Sequence, residues 1–242
     1  MCSSDLYPAG LAFDRAGALY FADSGNHVVR KLYADGTIGS IGTALGANPG
    51  LAMSTPVAVA VDPAGTLYVG GPAAFVVRAF TTTGKWLTYT GIGDSVNDMA
   101  ADLSGNLYIA DGSRLRRMDA SGAFVTVAGD AYMHSVGDGG PATMAELYLP
   151  SALTLDSAGN LFIADSGTER VRLVTRDGTV TTLAGTGTAA AGAADGSPAG
   201  SAALNTPMGV AMDSSGNVLV ADTYNHRIVL VKIGRASCRE RV

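Results

Sequence analysis

The segment TPMGVAMDSSGNVLVADTYNHRIVLV (residues 206–231) has four recognisable copies upstream in this chain of 242 residues. Each copy contains the pattern D-x-x-G, and four of the five copies carry a second aspartate nine residues after the first. The first aspartates are Asp14, Asp62, Asp102, Asp156 and Asp213, and the second are Asp23, Asp111, Asp165 and Asp222, with Gly71 at this place in the second copy. The spacing inside the copies is constant, whereas the distance between copies varies from 40 to 57 residues. A rigid unit is therefore repeated, and the length differences lie in loops between units.

Each copy is predicted to form four short strands. A small apolar run such as VAVAV (57–61) precedes D-x-x-G, which is typical of a type I turn closed by a left-handed glycine. An aromatic or β-branched run such as LYFA (19–22) follows, and then two further strands separated by polar turns. A repeat of four strands with this period predicts an all-β fold, a β-propeller of four-stranded antiparallel blades. The five blades are expected at about 7–48, 55–93, 96–130, 149–187 and 206–232.

The repeats resemble those of the NHL family. The resemblance rests on VAMDSSGNVLVADTYNHRI (210–228), FADSGNHVVRKL (21–32) and DGTVTTLAG (177–185), and it extends over residues 7–232. NHL propellers usually have six blades, so the resemblance implies an incomplete six-bladed ring that ends in the third strand of the fifth blade. Such an arc would leave a strand edge unpaired, which favours aggregation.

The connectors between the later blades form a second repeat. GDGGPATMAELYLP (137–150) and ADGSPAGSAALNTP (194–207) align at an offset of 57 residues. Asp138-Gly139 and Asp195-Gly196 indicate a turn, and the proline that follows is suited to begin one helical turn. These segments are expected to follow the edge of a blade, with a ligand-contacting loop as the alternative.

The two ends of the chain match nothing in the repeats. Back-translation of residues 1–6 and 233–242 gives DNA that resembles short-read sequencing adapters, so both ends are predicted to be non-native. They hold both cysteines, Cys2 and Cys238. The remaining chain then offers no disulfide, cysteine zinc site or thiol nucleophile.

The turn before the third strand supplies the candidate binding residues. Propeller loops can vary without disturbing the blades, and binding groups collect on loops. Tyr224 stands out, because the corresponding residues of two other copies are Gly25 and Gly167. The candidate binding residues are Asn26, His27, Arg30, Glu169, Arg170, Arg172, Tyr224, Asn225, His226 and Arg227. The leading interpretation is a non-catalytic domain that binds a protein, peptide or glycan.

The repeated aspartates are expected to be structural. Both sets are interpreted as turn formers that accept backbone N–H bonds. No metal and no cofactor is predicted, because no local cluster offers the oxygen ligands that calcium needs. His27 and His226 are copies of one repeat position and are interpreted as turn residues.

An enzyme is the first alternative function. The related lactonase and amidating-lyase propellers hold a metal at the central channel, the former by glutamate, asparagine and aspartate and the latter by several histidines. This sequence offers few such metal ligands, since Glu146 and Glu169 fall in a connector and a turn. No catalytic residue is assigned, and enzymatic activity is not favoured.

RNA binding is the second alternative, because some animal NHL propellers bind RNA. Arginines cluster partly on the predicted third strands, but 21 acidic against 16 basic residues give a net charge of −5. Phosphate contacts dominate RNA affinity, so nucleic acid is not favoured as a partner. Composition suggests a bacterial protein, and family analogy suggests the cell envelope or the exterior. The sequence has no apolar run long enough for a membrane span.

Overall fold

Five antiparallel sheets of four strands each, connected in chain order, make up the fold. The structure is a computed structural model that describes residues 6–41, 55–72, 75–119, 121–130, 138–190 and 196–233, and the backbone of 237–241. Blade one contains β1 (Pro8–Phe13), β2 (Leu19–Asp23), β3 (Val28–Leu32) and β4 (Ile38–Ile41), and blade two contains β5 (Ala58–Val61), β6 (Leu67–Gly70), β7 (Val76–Phe80) and β8 (Trp86–Thr90). Blade three contains β9 (Val96–Ala101), β10 (Leu107–Asp111), β11 (Arg114–Met118) and β12 (Phe124–Ala128), and blade four contains β13 (Pro150–Leu155), β14 (Leu161–Asp165), β15 (Arg170–Val174) and β16 (Val180–Ala184). Blade five contains β17 (Pro207–Met212), β18 (Val218–Asp222), β19 (Arg227–Lys232) and β20 (Ser237–Arg241). The predicted propeller-type fold with four-stranded antiparallel blades is confirmed.

The D-x-x-G turns have the predicted geometry. In blade one the Gly17 amide donates to the Asp14 carbonyl (3.0 Å), and Gly17 has φ +82°. The Asp14 carboxylate also accepts the amides of Ala16 (3.0 Å) and Ala18 (2.9 Å), so it fixes the turn from inside. The same pair of side-chain bonds recurs at Asp62, Asp102, Asp156 and Asp213. All five first aspartates thus bind two amides of their own turn.

The chain divides into two compact units. The first contains blades one and two, the second contains blades four and five, and strands of blade three belong to both. In the first unit, the Gly10 amide of β1 donates to the Val57 carbonyl just before β5 (2.7 Å), and a Cβ at Gly10 would stand 2.6 Å from that oxygen. The small residues of the first strands thus permit the first strands of neighbouring blades to approach closely.

The fifth blade differs from the sequence expectation. The repeats predict that the chain ends in the third strand of this blade, but β20 pairs with β19 and completes it. Residues 237–241 pair with β19 because an unpaired strand edge presents free amides and carbonyls to any segment that can reach it. The adapter origin of residues 1–6 and 233–242 stays a prediction.

The connector before blade four follows a blade edge, as expected. The Gly139 amide donates to the Val180 carbonyl (2.8 Å), and the Val180 amide donates to the Gly140 carbonyl (3.0 Å). The predicted helical turns after the connector prolines are also present, as 3₁₀ turns at Ala142–Met144 and Ala199–Ser201. Asp195, half of the second predicted turn, lies outside the described residues.

Candidate functional site

The turn between the second and third strands has one shape in blades one, four and five. A 3₁₀ turn is followed by a single residue in the left-handed conformation: His27 (φ 58°), Glu169 (φ 56°) or His226 (φ 54°). The 3₁₀ turns span Ser24–Asn26, Ser166–Thr168 and Thr223–Asn225. His27 and His226 are exposed, and Glu169 is half-buried. The shared shape therefore presents the side chain of the left-handed residue outward in two blades.

In blade one, the turn is organised around the buried carboxylate of Asp23. It accepts the Tyr7 amide (3.2 Å), the Asn26 side-chain amide (2.9 and 3.0 Å) and the Arg30 Nε–H (2.9 Å). Burial alone would raise the pKa of Asp23, but the bonds from Asn26, Tyr7 and Arg30 hold it below its usual value. Asn26 and Arg30, predicted as binding residues, thus contact this aspartate.

Blade five repeats the arrangement around Asp222. This buried carboxylate accepts the Asn205 amide (2.6 Å), the Asn225 side-chain amide (2.9 Å) and the Arg227 Nε–H (2.8 Å). Arg227 lies five residues after its aspartate, whereas Arg30 lies seven residues after Asp23. The arginine therefore reaches the turn aspartate from two different positions of the third strand.

Blade four departs from this pattern. Asp165 accepts the Tyr148 amide (2.7 Å) and the Thr168 hydroxyl (2.6 Å), while Arg170 donates to the carbonyls of Thr168 and Thr186. Burial raises the pKa of Asp165 to about 6, against the lowering effect of Thr168, Tyr148 and the more distant arginines. Arg170 thus binds two backbone carbonyls of its blade, whereas Arg30 and Arg227 bind the turn aspartate.

Arg172 of blade four binds the connector instead. It is buried, and its Nη2 donates to Asp138 (3.1 Å), which also accepts the Thr182 hydroxyl (3.0 Å). This bond joins β15 to the segment before blade four across 34 positions of sequence. Arg172, predicted as a binding residue, is therefore a buried side chain that joins the third strand of blade four to the connector.

Blade three has a shorter turn, and residues 73 and 74 of the blade-two turn lie outside the described residues. Asp111 is buried at the end of β10, and Gly71 follows β6 where the other blades have an aspartate. Phe75 of blade two is nevertheless left-handed (φ 47°) and exposed, like the histidines of blades one and five. An aromatic ring thus stands on this turn in blade two as well.

An exposed tyrosine lies at the turn of blades one, four and five, but it comes from two different segments. In blades one and four it precedes the first strand, and the rings of Tyr7 and Tyr148 lie over Gly25 and Gly167. In blade five the turn itself supplies Tyr224, whose amide donates to the Asn205 carbonyl (3.1 Å). Tyr224 therefore replaces an aromatic group of the other blades rather than adding one.

The turns of blades four and five meet at a shared segment. The Thr206 amide donates to the Glu169 carboxylate, and the adjacent Asn205 carbonyl accepts the Tyr224 amide. We call Glu169, Tyr224 and His226, with Asn205 and Thr206 between the turns, the 4–5 rim. Tyr148, Asn205 and Thr206 are not among the binding residues predicted from the sequence. The signal was present, because the 57-residue offset that aligns Gly167 with Tyr224 also aligns Tyr148 with Asn205.

The acidic residues do not gather into a metal site in the described ranges. No group of three or more His, Cys, Asp or Glu side chains with metal-binding geometry occurs there. Glu146 lies in the connector, and Glu169 accepts a backbone amide. The described residues therefore do not fit the metal set that a lactonase-like propeller would imply. His134 lies outside them.

A comparison with known protein families also identifies the chain as a propeller. Residues 7–236 match the family described as SMP-30/gluconolactonase/LRE-like region. The chain belongs to this family. The NHL resemblance thus captured the propeller repeat, but the family it named is a related one. No curated protein matches the chain.

Solved structures share the fold of this SMP-30/gluconolactonase/LRE-like chain. A streptogramin B lyase is 14% identical with a TM-score of 0.69, over 100% of this chain and 70% of that one. An auxiliary nutrient binding protein from Bacteroides thetaiotaomicron is 19% identical with a TM-score of 0.73, over 91% and 58%. A catalytically inactive histidine-to-alanine variant of virginiamycin B lyase from Staphylococcus aureus, with quinupristin, is 15% identical with a TM-score of 0.63, over 99% and 85%. At these identities the likeness establishes the fold alone.

No helix in the described part of the chain is long and apolar enough to cross a membrane.

Proposed function

We propose that this chain is a propeller enzyme that opens a cyclic ester, by hydrolysis as in a lactonase or by elimination as in a lyase. The family match over residues 7–236 carries the proposal. The similarity to streptogramin B and virginiamycin B lyases supports it. The repeats alone favoured a non-catalytic binding domain, whereas the family match favours the enzyme alternative.

The 4–5 rim is the proposed substrate-binding surface. Its exposed Tyr224 offers an apolar ring face with a hydroxyl at the edge, which suits an organic ring that carries polar groups. His226 is exposed on the same turn and is held in position by its left-handed backbone. Asn225 and Arg227, by contrast, bind Asp222 and so support the turn.

His226 is the proposed general acid and base. Ring opening requires a proton to leave water or carbon and another to reach the departing oxygen, and an imidazole can exchange protons near neutral pH. Glu169 is proposed as a positioning residue, because its carboxylate holds the Thr206 amide between the two turns. No step is assigned to a metal, since the described residues do not fit one.

The test is incubation of the purified chain with five- and six-membered lactones and with a peptide closed by an ester bond. Mass spectrometry separates the two chemistries, because hydrolysis adds one water to the product and elimination leaves the mass unchanged. His226→Ala should lower kcat/KM by about 10²- to 10⁴-fold. His27→Ala is the matched control, since it changes the same turn position in blade one. Equal losses in the two variants would refute the role of His226, and no turnover of any ester would refute the activity.

Non-catalytic ligand binding is the second candidate. Several polar side chains of the turns bind buried aspartates, so they support the turns and are engaged within the protein. The side chains concerned are Asn26, Arg30, Asn225 and Arg227, and their engagement favours a binding surface over a catalytic one. Calorimetry on the same esters distinguishes the two functions. Binding that Tyr224→Ala abolishes, without any product, would support this candidate.

A further inference from the structure

Arg172 and Arg30 occupy the same position in their blades, but they bind different carboxylates. Arg172 pairs with Ile163 on the neighbouring strand, just as Arg30 pairs with Phe21 in blade one. The second aspartate of each blade follows two positions after that paired residue, so it lies on the same side of the sheet as the arginine. Arg30 uses this placement, because its Nε–H donates to Asp23 (2.9 Å). Arg172 is therefore placed to bind the second aspartate of its own blade as well.

The Nε–H of Arg172 is a buried donor without an acceptor. Arg172 is 6% exposed, and its Nη2 donates to Asp138 (3.1 Å). No residue in the described ranges accepts a hydrogen bond from its Nε. A buried polar group without a hydrogen-bond partner costs free energy. Arg172 Nε should therefore move onto an acceptor when a stronger one appears beside it.

Asp165 can become that acceptor. Its buried carboxylate accepts the Tyr148 amide at Oδ1 (2.7 Å) and the Thr168 hydroxyl at Oδ2 (2.6 Å). An ionised carboxylate has about four acceptor sites, so these two bonds do not exhaust it. Burial raises the pKa of Asp165 to about 6, against Thr168 from the turn, the Tyr148 amide from the segment before β13, and Arg172 and Arg170 from β15. Asp165 therefore changes from a protonated to an ionised carboxyl between mildly acidic and neutral pH.

We propose that Arg172 exchanges between two carboxylates and that this exchange sets how firmly the connector before blade four is held. While Asp165 is protonated, Arg172 binds Asp138. When Asp165 ionises, a buried charge without a charged partner is costly, so Arg172 Nε moves onto it in the way that Arg30 Nε lies on Asp23. The bond to Asp138 is then weakened, and water can replace it, because the Asp138 side chain is 49% exposed.

Both carboxylates contact the same connector. Asp138 lies near its beginning, beside the Gly139 amide that donates to the Val180 carbonyl of β16 (2.8 Å). Tyr148 lies near its end and donates its amide to Asp165. The exchange therefore moves the arginine from the beginning of the connector to the aspartate that holds its end. The connector is expected to be fixed to β16 at mildly acidic pH and to be loosened there at neutral pH.

An NMR titration of the wild-type chain from pH 4.5 to pH 8 tests the exchange. The Arg172 Nε–H resonance, identified by its loss in Arg172→Lys, should shift with the same midpoint as the Asp165 carboxyl carbon. Arg30 is the matched control in the same spectra, because the lowered pKa of Asp23 keeps its partner ionised across this range. The Arg30 Nε–H resonance should therefore stay in place.

Hydrogen exchange measures the loosening of the connector. Loss of a hydrogen bond between charged groups should lower the protection of the Gly139 amide by about 10- to 100-fold between pH 4.5 and pH 8, relative to its intrinsic exchange rate. In Asp165→Asn the protection should not change with pH, since no charge appears at this position.

Four outcomes would overturn the proposal. The first is an Asp165 carbon that does not titrate in this range, and the second is an Arg172 Nε–H resonance that stays in place while that carbon titrates. The third is constant protection of Gly139 despite the shift at Arg172, which would separate the arginine from the connector. The fourth is a transition that persists in Asp165→Asn and so belongs to another group. If Asp165→Asn does not fold, the wild-type titration with Arg30 as its reference still decides.

Discussion

The ring of Tyr148 lies over Gly167, so closely that a Cβ at Gly167 would overlap it. The pair joins the segment before blade four to the turn after β14, and it explains why the turn has glycine there although its φ is not positive. Blade one repeats the pair with Tyr7 and Gly25, and blade five reverses it with Asn205 and Tyr224. Each of these three turns thus holds one aromatic ring, which comes either from the segment before the first strand or from the turn itself.

Gly167→Ala should therefore destabilise the protein. The added methyl group must displace the Tyr148 ring or the turn, and overpacking of this kind costs about 1–3 kcal/mol. The thermal midpoint and a urea titration measure the loss. Gly200→Ala is the control, because a Cβ at Gly200 has open space around it. Identical melting of the two variants would contradict the contact.

The exchange between blades four and five predicts strong coupling in a double variant. Asn205→Tyr alone places a second ring beside Tyr224 and should destabilise the fold. Adding Tyr224→Gly recreates the blade-four arrangement and should restore most of the loss. Interaction energies between contacting residues reach about 0.5–3 kcal/mol, so a double-mutant cycle in urea resolves the effect. Additive losses would show that the rings do not share one place.

Asp165 should make stability depend on pH in a direction unusual for an aspartate. Its pKa is raised to about 6 from an ordinary 3.8, so the folded state binds the proton more tightly than the unfolded state. Stability then falls as pH rises from about 4 to about 6, by roughly 3 kcal/mol. Asp165→Asn should remove this fall, as urea titrations at pH 4.5 and pH 8 would measure. An unchanged pH profile would contradict the prediction.

Asp23 should behave in the opposite way. Its pKa is lowered, so its contribution is present above the ordinary aspartate pKa and is lost as pH falls through the folded value. Asp23→Asn also leaves the partly exposed Arg30 guanidinium without its charged partner, and loss of a hydrogen bond between charged groups costs about 1.5–3 kcal/mol at pH 7. The same titrations should show Asp23→Asn more destabilised at pH 8 than Asp165→Asn. The reverse order would refute the distinction between the two turns.

Local spacing explains why so much of the fold could be predicted. The bonds from Asp14 to the amides of Ala16 and Ala18 span at most four positions, so the D-x-x-G pattern alone specifies the hairpin. The strands follow from the alternating apolar runs on either side, and the 3₁₀ turns after Pro141 and Pro198 follow from the prolines. Blade number and turn positions were therefore available from the sequence.

The candidate site was harder to predict from the sequence, because its residues are joined by contacts between segments that lie far apart in the chain. Tyr224 was identified as a distinctive aromatic group, but Tyr148, which has the same role in blade four, was not. Its contact with Gly167 joins two elements that no short motif connects. Likewise, the bond between Glu169 and Thr206 spans 37 positions.

The sequence by itself determined the repeated blade and the turns closed by the first aspartates, since the bonds of these aspartates join residues at most four positions apart. Only the tertiary structure decided which aspartate receives an arginine. Arg30 binds Asp23, whereas Arg172 at the same repeat position binds Asp138 across 34 positions. A long side chain pairs with whatever carboxylate the packing brings within reach, and that choice depends on neighbours in space rather than on spacing in the chain.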